Sequence, residues 1–202
     1  MLETAKLYED QLNGCMSSIA MDTYYKWYHL AYAEPIIKFD DTFYNKIQLV
    51  SVYGGIVQGY FVACWQRPEN YIDNITCVNF NKEDKNTFAA DLRGFLKYLA
   101  YDLNVPKIMW SVAVGNPIEK HYDRIIKRFS GRIIGVERYA YLINGKYYDR
   151  KSYEWINDYY ECTHCDNKEK DEREVMCWKC GLGEMVYRNP FRKGKYINED
   201  DM

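Results

Sequence analysis

Two CxxC units near the C-terminal end, Cys162-Thr-His-Cys165 and Cys177-Trp-Lys-Cys180, lie eleven residues apart and constrain this chain more than any other feature. Each short knuckle delivers two thiolates to one point, and two facing knuckles complete the tetrahedral four-sulfur shell that zinc takes. Gly181 directly after the last cysteine suits the tight turn of such a knuckle. A redox CxxC opens a helix of a thioredoxin-like unit, and neither pair stands in that context. His164 lies inside the first knuckle, but with four cysteines at hand the expectation is a closed Zn2+ site on Cys162, Cys165, Cys177 and Cys180. Such a site leaves no open position for water, so its role is structural.

The 202 residues suffice for one core of about 150 residues and one appendage too small to fold without a staple. The metal is that staple. A formal charge of −2 gives no general attraction to phosphate backbones. Between the outer cysteines, Lys168, Lys170, Arg173 and Lys179 face Asp166, Glu169, Asp171, Glu172 and Glu174. A nucleic-acid surface needs the opposite balance, so the ribbon is expected to contact protein. Met1 leads directly into charged sequence without an apolar leader, and no window is long and apolar enough to cross a bilayer. Cys15, Cys64 and Cys77 are odd in number and lack framework spacing, which fits a reducing compartment and a cytoplasmic protein.

Along the chain, the first forty residues read as helical. Tyr24, Trp27, Tyr28 and Ala31 recur at helical spacing behind Asp22, a candidate N-cap, and Pro35 ends the pattern. Three strand-like runs follow, starting at Ile47, Ile56 and Tyr71 and separated by Gly54-Gly55 and Pro68. From Thr87, the apolar residues Phe88, Leu92, Phe95, Leu96 and Leu99 predict an amphipathic helix that stops before Pro106. Lys107 to Val114 reads as a strand, and Pro117 opens a helix reaching about Phe129. Ile133 to Ile143, Asn144-Gly145 and the run from Lys146 predict a hairpin, because Asn-Gly supplies the two positive-φ residues of a two-residue turn. The polar stretch from Asn157 to the first knuckle divides the chain into residues 1–157, a ribbon over 158–190 and a mobile charged tail over 191–202.

This order of elements resembles the GNAT acetyltransferase superfamily, an α/β (α+β) fold with a mixed, mostly antiparallel sheet flanked by helices. The resemblance spans roughly residues 1–156. Trp110-Ser-Val-Ala-Val-Gly-Asn116 is similar to the family's strand ending in Asn, and the helix with Tyr122 to its Tyr-bearing helix. Gly135 matches the glycine that opens its sixth strand, and Asn144-Gly-Lys-Tyr-Tyr-Asp149 resembles its last hairpin. The resemblance implies acetyl transfer from acetyl-CoA to a primary amine, with the pantetheine in a gap between two splayed strands and the pyrophosphate at a helix start.

On that reading, Phe80, Lys82, Lys85, Asn86, Thr87 and Asn116 would contact the cofactor, Tyr122 would be the general acid and Asp73 the base. Anchored on Gly135 instead, the comparison puts Ile126 at the tyrosine position, and Tyr122 then packs against the sheet. Asp73 equally suits an outward polar position of an alternating strand, and Asn116 a helix cap. The sequence departs from the family at the phosphate loop. Where the family has a Gln or Arg and two glycines, this chain reads Asn81-Lys-Glu-Asp-Lys-Asn-Thr87. Glycines let backbone approach phosphate closely, and Glu83 and Asp84 add negative charge that Lys82 and Lys85 would have to offset. Two readings stay open: an N-acetyltransferase with a docking ribbon and an unidentified amine acceptor, or a GNAT-like binding protein that has lost catalysis.

Overall fold

The computed structural model describes residues 1–20, 22–28, 36–39, 45–129, 131–157, 159–162, 164–165, 168–169, 180, 182 and 185–188. The chain opens with a short strand, β1 (Leu2–Thr4), paired antiparallel to β2 (Lys46–Tyr53) with Leu2 opposite Ser51. A 3-10 turn, Ala5–Tyr8, leads into α1 (Glu9–Ile19), which buries Leu12, Met16 and Ile19 on one face. The helical expectation for this region therefore holds for α1 and fails on either side of it. Leu2–Thr4 is a strand, and the aromatic run after Asp22 forms one 3-10 turn, Thr23–Tyr25. Asp22 caps that turn, accepting the Tyr24 amide at 2.9 Å. Tyr25 is drawn into the core, where its hydroxyl donates to the Phe80 carbonyl at 3.3 Å. Ala31 and Pro35 lie outside the described residues.

β3 (Ile56–Gln66) and β4 (Tyr71–Asn79) continue the antiparallel ladder from β2, as their alternation and turns predict. Next comes α2 (Lys85–Lys97), whose end widens into a turn over Tyr98–Asp102, where the Leu103 amide reaches back to the Tyr98 carbonyl at 3.0 Å. β5 (Lys107–Ala113), α3 (Glu119–Arg128), β6 (Arg132–Ile143) and β7 (Lys146–Ile156) complete the unit. Asn144 and Gly145 take φ of 50° and 74°, the left-handed pair that closes a tight hairpin. The seven strands form one sheet in the order β1-β2-β3-β4-β5-β7-β6, and only β4 and β5 run parallel.

Both faces of the sheet are covered, which explains the nearly continuous apolar sequence of β3. On one face Phe61, Ile72, Ile108 and Trp155 pack with Leu92, Phe95 and Leu99 of the α2 region and Ile126 of α3. On the other, Val50, Tyr60, Val62 and Val78 meet Leu12, Met16 and Tyr25. Complete burial of a side chain such as Phe61 stabilises the fold by about 1.5–3 kcal/mol.

Beyond Ile156 a second, three-stranded antiparallel sheet takes the order β10-β8-β9, from β8 (Tyr159–Cys162), β9 (Lys168–Glu169) and β10 (Met185–Arg188). Cys162 stands opposite Met185. Cys177 and residues 189–202 lie outside the described residues. Among the described residues, no group of three or more His, Cys, Asp or Glu side chains is placed to hold a metal. None of the described helices is long and apolar enough to cross a membrane.

Candidate functional site

The site begins with a failure of two strands to pair. β4 and β5 share a parallel ladder only at Tyr71–Lys107 and Ile72–Ile108, and beyond that point they part. A bulge drives the separation on the β4 side. Cys64 pairs with Asp73 and Val62 with Thr76, so Ala63 alone faces Asn74 and Ile75. Asn74 takes a φ of 48°, a conformation that Asn tolerates better than most residues. The gap opens into a cleft of about 720 Å³ walled by Asp73–Cys77 of β4 and Met109–Ala113 of β5.

Tyr122, on the first turns of α3, lines this cleft although only 9% exposed. Its ring meets Trp110 and Tyr153 edge-on, with centroids 6.1 and 6.0 Å away. Its hydroxyl donates to the sulfur of Cys77 in β4. Burial raises the Tyr122 pKa well above the usual phenol value, and nearby Cys77, Tyr28 and Tyr153 add to the shift. The group holds its proton at all physiological pH. Burial likewise pushes the Cys77 thiol up, so it remains neutral and acts as acceptor rather than nucleophile. The Trp110 indole N–H, in the same wall, is buried without a hydrogen-bond partner among the described residues.

Asp73 and Tyr122, the two candidate proton-transfer residues, both line the cleft, Asp73 beside Cys64 and Tyr122 beside Cys77. Gln66 holds the Asp73 carboxylate from the neighbouring strand, with its amide nitrogen 3.3 Å from each oxygen. Asn116 also lines the cleft, but its side-chain oxygen accepts the Ile118 amide at 3.1 Å and so caps the turn into α3. Lys38, Lys46 and Arg150 bring positive charge to the lining, and Asp73 is the carboxylate among the lining residues.

The loop before α2 is organised by its own side chains. Asn81 accepts the Glu83 and Asp84 amides at 3.1 and 3.2 Å and donates to Gln58 at 2.8 Å. Asp84 is the N-cap of α2, accepting the Asn86 and Thr87 amides at 3.1 and 3.0 Å. The Thr87 hydroxyl, together with these amides, holds the Asp84 pKa below the usual carboxylate value. Lys82 is engaged elsewhere, 2.6 Å from Asp22 and over the rings of Tyr24 and Tyr25. The Phe80 amide and carbonyl are taken by Gln58 and Tyr25. Lys85 is exposed on the first turn of α2. Sequence reasoning treated Asp84 only as a repelling charge, although an Asp directly before a helical apolar pattern is a cap signal. Cys77 and Trp110 were missed as site residues, since nothing local in the sequence links them to Tyr122.

The fold is similar to those of solved acetyltransferases. An N-acetyltransferase from Staphylococcus aureus Mu50 superposes with a TM-score of 0.57 at 14% identity, over 77% of this chain and 97% of that one. A GCN5-related N-acetyltransferase from Brucella melitensis gives 0.55 at 18% identity, over 77% and 75%. The fold is GNAT-like. The spermidine/spermine N-acetyltransferase SpeG from Vibrio cholerae matches at 0.49 and 20% identity over 56% of this chain, which spans 66% of that enzyme's length. No protein-family model and no curated protein matches the sequence. The strand Lys107–Ala113, the helix Glu119–Arg128 that carries Tyr122 and the Asn144-Gly145 hairpin follow one another in the order the sequence predicts.

Proposed function

We propose that this chain is an N-acyltransferase that moves an acetyl group from a thioester to a primary amine in the cleft between β4 and β5. The observation that carries the reading is the parting of these strands over a cleft whose lining includes Tyr122 and Asp73. Unpaired strand edges offer N–H and C=O groups to the amides of a pantetheine arm, which can lie between them like an added strand. The cleft therefore fits the acyl-pantetheine part of acetyl-CoA. The start of α2 does not fit its pyrophosphate, because the amides there are already taken by Asn81 and Asp84.

In the reaction the amine nitrogen bonds to the thioester carbonyl carbon, the C–S bond breaks, and the leaving sulfur needs a proton. Tyr122 carries that proton on its phenol oxygen, held neutral by burial until a developing thiolate offers a better acceptor than Cys77. Asp73, steered by Gln66, takes the proton from the attacking amine, directly or through a water.

The four cysteines supply a donor set that suits structural zinc, which would tie the ends of a sheet too small to hold together alone. Cys162 ends β8 with Cys165 at knuckle spacing behind it, and Cys177 and Cys180 repeat that spacing in the sequence. The ribbon then serves as a docking surface for a protein substrate or partner, in the reducing cytoplasm.

The test is amine-dependent release of thiol from millimolar acetyl thioester, with spermidine, an amino acid and an amino-sugar phosphate as acceptors, in the wild type and in Tyr122→Phe. Release that depends on an acceptor and on Tyr122 supports the reading. No release with any amine, and no thioester binding by calorimetry, would leave a GNAT-like scaffold without catalysis, the second reading favoured by the closed amides of α2.

A further inference from the structure

The first amides of a helix turn toward solvent without partners, and with the helix dipole they make a site for an anion. In α2 that site is closed by the chain itself. The second and third helical amides, Asn86 and Thr87, both go to one oxygen of Asp84. The amides just before the helix, Glu83 and Asp84, both go to the side-chain oxygen of Asn81. Asn81 is fixed in turn by its own bond to Gln58 and by the Asn79 side chain, which accepts the Asn81 amide at 3.0 Å. A carboxylate thus stands where an incoming diphosphate would seek amides.

Charge points the same way. Lys82 is consumed by Asp22 at 2.6 Å, and Glu83 and Asp84 flank the helix start with Lys85 as the neighbouring cation. A diphosphate brought here would displace the Asp84 cap and meet its charge unscreened by Lys82. Phe88, on the first turn of α2, lines the cleft between β4 and β5.

We infer that Asp84 and Asn81 are specificity residues that exclude a nucleotide diphosphate, so that the acyl donor is recognised through its acyl-pantetheine arm alone. This rests on the thioester-binding reading of the cleft. The donor class is an acyl group on pantetheine that gains nothing from an attached adenosine diphosphate: free acyl-pantetheine, or the same arm on a protein carrier.

Calorimetry on the full chain tests this with two probes, acetyl-CoA and S-acetyl-pantetheine, and with adenosine 5′-diphosphate as competitor. The expected result is equal affinity for both thioesters within about threefold and no competition by the nucleotide. Asp84→Gly combined with Asn81→Gly frees the four amides, and acetyl-CoA should then gain at least tenfold while S-acetyl-pantetheine is unchanged. Glycine is tolerated at an N-cap, and the thermal transition of the variant checks that it folds. Acetyl-CoA binding a hundredfold tighter than S-acetyl-pantetheine in the wild type, or displacement by the nucleotide, would overturn the inference and leave the transferase reading intact. Binding of neither thioester would overturn both.

Discussion

The hydroxyl of Tyr122 donates to the sulfur of Cys77, joining α3 to β4 across the floor of the cleft, 45 residues apart in sequence. Removing that hydroxyl as Tyr122→Phe should cost about 1 kcal/mol of stability, the ordinary worth of one hydrogen bond. The proposed acid role demands far more: a fall of about 10²–10⁴ in kcat with little change in donor Kd. A structural role would move the melting temperature and leave kcat nearly unchanged. Steady-state rates beside thermal melts separate the two.

Glu154 is buried in β7 between Lys107 and Arg132, each 2.8 Å away. Burial alone would raise its pKa, but the hydrogen bonds and charges of Lys107 and Arg132 outweigh burial and hold it below the usual value. The stabilisation is therefore present above the unfolded carboxylate pKa, about 4.3, and is lost as pH falls through the lower folded value. Glu154→Gln should lose about 1–2 kcal/mol at neutral pH, a figure reduced because Arg132 is largely solvent-exposed. Melting curves from pH 7 down to pH 3 should show the gap between wild type and variant closing in the acid range.

Gly131 sits where α3 returns to the sheet, its amide bonded to the Ile126 carbonyl at 2.8 Å. A methyl group there would overlap the Ile126 side chain and lie 2.6 Å from the Glu154 carbonyl oxygen. Backbone cannot yield as a flexible side chain can. Gly131→Ala should destabilise by about 1–3 kcal/mol, read from denaturant midpoints at an unchanged m-value.

The four-cysteine proposal predicts one zinc per chain by elemental analysis. Cys177→Ser should release it and unfold the small C-terminal sheet while the seven-stranded unit keeps its melting transition. An unchanged metal content would exclude Cys177 from the shell.

Much of the large sheet was legible because its signals are local. Gly54-Gly55 and Asn144-Gly145 announce hairpins, and the runs from Ile47, Ile56 and Tyr71 lie within two residues of the observed strand starts. β1 was not legible: three residues cannot display alternation, and its pairing with β2 spans about fifty residues of sequence. Nor was the fate of the aromatic run after Asp22, where helical spacing competed with the pull of Tyr25 into the core and lost. At the site, Tyr122, Asp73 and Asn116 were singled out through the family resemblance, and all three line the cleft. The closure of the α2 amides was not, because placing the helix start at Thr87 rather than Lys85 hid the capping position of Asp84.

The two-rung ladder between β4 and β5 has a consequence for how the molecule comes apart. A sheet sewn at Tyr71–Lys107 and Ile72–Ile108 alone is two plates, β1–β4 and β5–β7, that meet along a seam. The covalent link across that seam runs through α2 and its widened end, so the plates are held by shared core packing, Phe61 and Ile72 with Ile108 and Trp155, more than by backbone ladder. Hydrogen exchange should then resolve two protection classes that divide at this seam, and a ligand laid between the plates should merge them into one.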